Sequence, residues 1–410
     1  MIRLAWRNLW RNRRRTLITA SAIAFGLALL VLFRTIGDGM HYQMIEYGVA
    51  NQAGHVVVQA PGYQEKPEPE LTVADSPGVE EALRRAVPGA RVVSRVFLQG
   101  LLTSPRNSVG VVLVGVDPVA EAAVGDLDGK LVEGEYLAGG DDRGVVIGAS
   151  LAETLEVKVG DKVVLMSQRG GEIQSTLLRV RGLFKTGMQE LDGFYGHLPL
   201  SAAQGALGLG TGVNQLSVHL SRIEDPDEVT RRLTAALAGR PVAVLGWKQA
   251  LPELHQFVVL DDAGNYVFLV IIAIVVAMGI LNTVLMSVLE RTREFGVMLA
   301  LGMSPARLGA LVLTEAGLLG VVAATIGAAL GALASWPLVV WGLDYGALAG
   351  GQETIATAGV PMQTMIYGDL SLRALVVSAI ATVAITMLSA IYPTWRAAKL
   401  TPVEAMHQHF

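Results

Sequence analysis

Seven histidines are the first candidates for catalysis or metal binding in this 410-residue chain: His41, His55, His197, His219, His255, His407 and His409. Their separations argue against both roles. Metal sites usually recruit ligands at short, regular spacings, and the only such pair, His407-x-His409, reads as a solvent-exposed tail. No nucleophile motif accompanies the histidines, and without cysteine the chain has neither thiolate ligands nor disulfides. The phosphate-cradling pattern G-x-x-x-x-G-K-[ST] is absent, so ATP hydrolysis by this chain is not expected. Gly160-Asp161-Lys162 reads as a turn. No catalytic residue, bound cofactor or metal is expected.

Two charged features remain. Glu315 is the lone interruption of the apolar run from Leu308 to Val340. A carboxylate in such a run suggests a proton relay, but one this close to a helix end is better read as solvated or locally paired. The second feature is Glu290-Arg291-Thr292-Arg293-Glu294, which directly follows a stretch from Ala263 to Leu289 without any Asp, Glu, Lys or Arg. That stretch is long enough, at about 1.5 Å per residue, to cross a bilayer core.

These residues need a membrane frame, and the composition agrees. With 52% hydrophobic residues, 17% charged and a mean hydropathy of +0.46, the chain is too apolar for a soluble protein and too charged to lie wholly in lipid. Its dense basic cluster abuts an apolar span, so the charge pattern fits topology and not nucleic acid. Residues 1–15 form an amphipathic interfacial helix, with Ile2, Ala5, Trp6, Leu9 and Trp10 on one face. The first transmembrane helix and its extension occupy 16–48. No cleavage site follows it, so a removable signal peptide is not expected. Arg34 near its far end is expected to snorkel to the interface.

Residues 49–257 contain no further span and must form one large domain outside the cytoplasm. Two strand-helix-strand units recur, His55–Ala60 with Arg91–Leu102, and Asn214–Leu220 with Arg240–Trp247. Their helices begin at Ser76-Pro77 and Asp225-Pro226, a cap followed by proline, and Gly239 ends the second. The halves, about 51–115 and 213–250, suggest a split α+β subdomain around a strand-rich insert at about 120–200. Within the insert, Arg169-Gly170-Gly171 separates two alternating runs and predicts a hairpin.

A stalk starting near Pro252 and the second transmembrane helix fill 258–289, followed by the charged segment 290–303. Gly302, Ser304 and Pro305 stop one helix and cap the next. The third transmembrane helix covers 304–341, with Trp336 and Trp341 at the outer belt, a Gly-rich outer loop 342–373, the fourth helix 374–392 and the cytoplasmic tail 393–410. The fold class is therefore a membrane protein with four transmembrane helices and a large extracytoplasmic α+β domain inserted between the first and second. Arginines at 3, 7, 11, 13, 14 and 15, then Arg291, Arg293, Arg307, Arg396 and Lys399 lie on one side, against Arg373 on the short outer loop. Both termini are thus expected in the cytoplasm.

Three stretches resemble the permeases of ABC transporters of the MacB, LolC/LolE and FtsX type. They are WRNLWRNRRRTLIT, ERTREFGVMLALGMSPARL, and the tail YPTWRAAKLTPVEAMH, whose Pro393, Arg396, Ala397, Ala398, Pro402, Glu404 and Ala405 match the closing pattern of that family. The resemblance covers essentially the whole chain. It implies a bacterial inner membrane protein with a periplasmic domain. It also implies that residues from Glu290 to Leu301 are a coupling helix for a separate ABC ATPase subunit, present in two copies and carrying ATP and magnesium. On this reading Phe295, Met298 and Leu299 supply an exposed apolar face, and Glu290, Arg291, Arg293 and Glu294 a polar rim.

The resemblance further implies a second permease copy, identical or homologous, and ATP-driven movement of the outer domain. The length and the large outer domain lie nearer the lipoprotein-releasing members or a stand-alone MacB-like permease than the shorter cell-division regulators, and the first of these implies a lipoprotein substrate and a periplasmic carrier as further partners. Substrate or membrane lipid would enter laterally between the first and second spans, along Leu27, Leu30, Val31, Val270 and Ile274. The competing expectations are MacB-like export of amphiphiles or peptides, and a scaffold or signalling protein that transports nothing.

Overall fold

In the computed structural model, residues 2–11, 13–169, 171–220, 225–348, 354–357 and 360–399 are described. The end of the tail motif, Pro402, Glu404 and Ala405, and the pair His407 and His409 lie outside them. The chain divides into two units, Met1–Tyr42 with Val259–Asp344 and Met365–Phe410, and Gln43–Val258 with Tyr345–Thr364. Helix α1 (Ile2–Arg11) carries the amphipathic sequence, and its exposed Trp6 and Trp10 rings meet edge to face at 5.9 Å. Helix α2 (Arg13–Gly48) contains Arg13, Arg14 and Arg15, which therefore belong to the helix of the first span and not to the interfacial helix. One π turn, Val49–Ala53, continues α2.

The outer domain is built on strands β1 (Val56–Gln59), β2 (Arg91–Thr103) and β3 (Ser108–Val116), with α3 (Ser76–Ala86) between the first two. Asp75, not Ser76, caps α3: its carboxylate accepts from Gly78 N at 3.1 Å, and Ser76 is the first helical residue. Next come α4 (Pro118–Ala122), β4 (Leu131–Gly134), β5 (Gly144–Gly148), α5 (Ala149–Leu155), β6 (Lys162–Arg169), β7 (Glu172–Phe184) and α6 (Gln189–Asp192). The domain continues with β8 (Tyr195–Pro199), α7 (Leu200–Leu207), β9 (Gln215–His219), α8 (Pro226–Ala236), β10 (Ala243–Gly246) and α9 (Trp247–Ala250).

These strands form one sheet in the order β10-β1-β9-β2-β3-β8-β5-β7-β4. The two strand-helix-strand units interleave, because β1 lies between β10 and β9, and β9 pairs with β2. Apolar faces of α3 and α8 (Val79, Leu83, Val229, Leu233) pack with Val56, Val58, Leu216 and Val218 in one core. Strand β6 pairs with both β2 and β7, which closes β2-β3-β8-β5-β7-β6 into a ring and leaves those strands without free edges. Long β2 therefore belongs to both the split subdomain and the insert. The two are continuous parts of a single sheet.

Helix α10 (Pro252–Glu290) is followed by α11 (Thr292–Ala300) and α12 (Pro305–Val340). Ser304 caps α12, and Gly302 turns the chain with φ +92°. The described parts of the Gly-rich connection are β11 (Leu343–Asp344), α13 (Tyr345–Leu348), β12 (Thr354–Thr357), β13 (Val360–Gln363) and β14 (Met365–Ile366), with β11 paired to β14 and β12 to β13. Helix α14 (Leu372–Ala398) runs through buried Pro393, six residues beyond the expected end of the fourth span at residue 392. Among the described residues, four helical segments are long and apolar enough to cross a membrane: Arg13–Ala53, Pro252–Glu290, Pro305–Val340 and Leu372–Ala398. Within the bundle, α12 meets α2 closely, since a Cβ on Gly327 would sit 2.6 Å from Ala24 O. Small residues permit that approach where no hydrophobic force separates lipid from protein.

Candidate functional site

The segment from Glu290 to Leu301 is tied to the rest of the bundle on three sides. Arg291 Nη1 donates to Glu315 Oε2 at 2.8 Å, Arg291 Nε to Glu294 Oε2 at 3.1 Å, and the guanidinium lies over the Phe295 ring, 5.1 Å from its centroid. Asn8 Nδ2 of α1 donates to the other Glu315 oxygen at 2.7 Å. Glu315 is therefore locally paired near the helix end. Arg11 of α1 binds Glu294 at 2.5 Å, and Arg15 of α2 binds Glu290 at 2.5 Å and Ser287 Oγ at 2.7 Å. The hydrogen bond from Arg11 is the main reason the Glu294 carboxyl sits below its ordinary range. Sequence spacing did not reveal Asn8, Arg11 or Arg15 as partners, because they lie far from the charged segment in the chain.

The expected docking face requires correction. Phe295 is only 1% exposed and packs with Val288, Leu308 and Val312. Met298 and Leu299 are partly buried against the same cluster. A nine-residue helix following a membrane span has an apolar face, and here that face is spent on the bundle. The exposed apolar side chains are instead Val297 (47%) and Leu301 (83%), four residues apart, with exposed Arg293 one turn before Val297. Val297 and Leu301 therefore share a face at the spacing of one helical turn.

A second feature is an open cavity of about 520 Å³ between α2, α10 and α14. Its walls are apolar, including Leu27, Leu30, Leu269, Val276 and Val377, and Arg34, Asp38 and Arg373 also line it. Arg34 does not reach out alone, since its Nε pairs with Asp38 Oδ2 at 3.2 Å. Of the expected entry residues, Leu27 and Leu30 line the cavity. Val31 is buried against α12, where Gly331 meets it, and Val270 and Ile274 are about half exposed outside the cavity. Leu27 and Leu30 thus face a cavity that α14 also walls, and Val31, Val270 and Ile274 do not.

This arrangement, four apolar helices with a large α+β domain after the first, agrees with comparison to known proteins. The model of the MacB-like periplasmic core domain matches residues 16–236, more than half of the chain, and that of the FtsX-like permease C-terminal domain matches residues 266–402. The chain belongs to the family of membrane permeases that carry a MacB-like periplasmic core domain. Within that class it is an ABC-transporter permease. It is 26% identical over 414 residues to the lipoprotein-releasing system transmembrane protein LolC of Xylella fastidiosa, covering 94% of this chain and 92% of that one. It is 23% identical to the corresponding protein LolE of Haemophilus influenzae, covering 95% and 94%. Among solved structures, the periplasmic region of MacB from Actinobacillus actinomycetemcomitans aligns at TM-score 0.35 and 15% identity, covering 50% of this chain and 94% of that one.

Proposed function

We propose that the chain is the permease of a transporter that releases lipoproteins from the inner membrane, driven by a separate ATPase. The observation that carries this reading is the attachment of α11. Ion pairs and the buried Phe295 join it to α1, α2 and α12, so a push on α11 acts on several membrane helices as one body. The exposed Arg293, Val297 and Leu301 are the contact for that ATPase, two copies of which serve two permease copies. This end of the bundle lies in the cytoplasm, by its excess of arginine, and both termini with it. The ATPase supplies the ATP and magnesium chemistry.

The apolar cavity beside α2, α10 and α14 suits an acyl chain, with Arg34 and Arg373 available to the polar head of a lipid-anchored substrate. Similarity to LolC and LolE over nearly the full length supports lipoprotein as that substrate, handed to a periplasmic carrier. The test is reconstitution in proteoliposomes with the ATPase and an acylated lipoprotein. Ala381 of α14 also lines the cavity, and A381W, which puts an indole into it, is expected to abolish ATP-dependent release while ATPase binding persists. Undiminished release by A381W would sink the cavity as the substrate path.

A further inference from the structure

The C-terminal end of α2 singles out two residues that have no role so far. A helix end leaves its last carbonyls without intrahelical partners and carries the negative pole of the helix dipole. Here Arg95 of β2 meets that end. Its Nη1 donates to Gln52 O at 2.8 Å and its Nη2 to Ala50 O at 3.3 Å. The same guanidinium grips Glu121 of α4 in a fork, Nε to Oε2 at 3.0 Å and Nη2 to Oε1 at 2.6 Å. Arg95 is 1% exposed and Glu121 3%.

Neighbours reinforce the contact. Gln215 Nε2 of β9 donates to Gln52 O at 3.1 Å, and Asp126 N to Asn51 Oδ1 at 3.3 Å. Lys130 Nζ bridges Tyr47 Oη at 2.9 Å and Asp126 at 2.8 Å. Gly54 closes the π turn with its N–H on Val49 O, and with φ +80° and a Cβ position 3.0 Å from Val218 N it is the residue that lets the turn lie on β9. By contrast, α10 leaves the domain through Leu251, a non-helical residue with φ −121° and ψ 68°.

A buried ion pair contributes little net stability, because desolvation offsets much of its attraction, and a well-packed apolar pair often does as well. An apolar pair could not hold two chosen helix carbonyls while gripping α4, which a planar guanidinium with five donors can. We propose that Arg95, oriented by Glu121, is the joint that fixes the last turns of the helix, Ala50 and Gln52, to strand β2. Its consequence rests on the permease reading: a displacement that arrives at the C-terminal turns of α2 passes on to β2 at this junction. Arg95 and Glu121 are positioning residues, remote from substrate.

The test uses the full-length permease in lipid nanodiscs, with spin labels on E46C and Q99C. The chain has no native cysteine to interfere, and both sites are exposed. The wild-type background is expected to give one narrow distance distribution. R95K keeps a charge for Glu121 but cannot span the carboxylate and both carbonyls, and R95M/E121M removes the contact while preserving bulk. Each is expected to broaden the distribution about twofold or more with cooperative melting retained. A distribution as narrow as wild type in either folded variant overturns the joint, and so does loss of cooperative melting in both, which would make the pair a plain core element. No ATPase is present, so failure here is separate from failure of the ATP-driven reading.

Discussion

Arg291 and Glu315 form a 2.8 Å ion pair that pins the start of α11 to α12, with both side chains largely buried. The pair turns what is otherwise a charged stop after a membrane span into a fixed part of the bundle. Removing Glu315 leaves the buried Arg291 guanidinium with the half-exposed Glu294 as its remaining carboxylate. Glu315→Ala is therefore expected to lower stability by about 3 kcal/mol, and Arg291→Met combined with Glu315→Leu to recover most of the loss. Denaturant unfolding in detergent micelles checks both.

Burial separates the two faces of α11. Phe295→Ala is expected to cost about 3 kcal/mol or more through the cavity it leaves, whereas Val297→Asp and Leu301→Asp change stability by no more than about 0.5 kcal/mol. Thermal unfolding of the three variants in parallel distinguishes a packed residue from an exposed contact.

Two buried histidines make the outer domain acid-sensitive. Burial lowers His197, held between the Tyr136 and Tyr195 hydroxyls, to about 4, and lowers His219 to about 3. In the unfolded chain each titrates at about 6.5. Below that pH the unfolded state binds more protons than the folded one, so stability is full above about 6.5 and falls as pH drops towards the folded values. The slope reaches about 1.4 kcal/mol per pH unit for each histidine. The wild type is expected to lose melting temperature between pH 6.5 and 4, and His197→Gln to flatten part of that decline, His219 keeping the rest.

Close helix approach predicts the fourth outcome. Gly327 and Gly331 let α12 lie against Ala24, Leu27 and Val31 of α2. Gly327→Leu should force α2 and α12 apart and destabilise the bundle by about 1–3 kcal/mol. Proteolysis of the detergent-solubilised protein, compared with Gly279→Leu where a Cβ meets nothing within 4 Å, reads the difference.

The long apolar runs, the caps at Asp225 and Ser304 and the hairpin around Gly171 were legible because each signal is local. A membrane span is a property of consecutive residues, and a cap is decided within one turn. The α3 cap was misread by one residue because Asp75 and Ser76 are both competent acceptors, and only the geometry at Gly78 decides between them. Phe295 was expected at the surface because an amphipathic helix shows that it has an apolar face and not what that face meets. Arg95 carried a faint signal, a lone charge inside Val92-Val93-Ser94-Arg95-Val96-Phe97, but its partners Ala50, Gln52 and Glu121 become neighbours only through the tertiary fold. The interleaving of β1 and β9 is equally non-local.

In the proposed function the exposed face of α11 receives a separate ATPase. Native mass spectrometry of the permease, coexpressed with its ATPase and released from nanodiscs, tests this most directly. The wild type should carry two ATPase copies per two permeases, and Val297→Asp/Leu301→Asp should leave the folded permease without them. Full ATPase occupancy on that double variant would contradict the account.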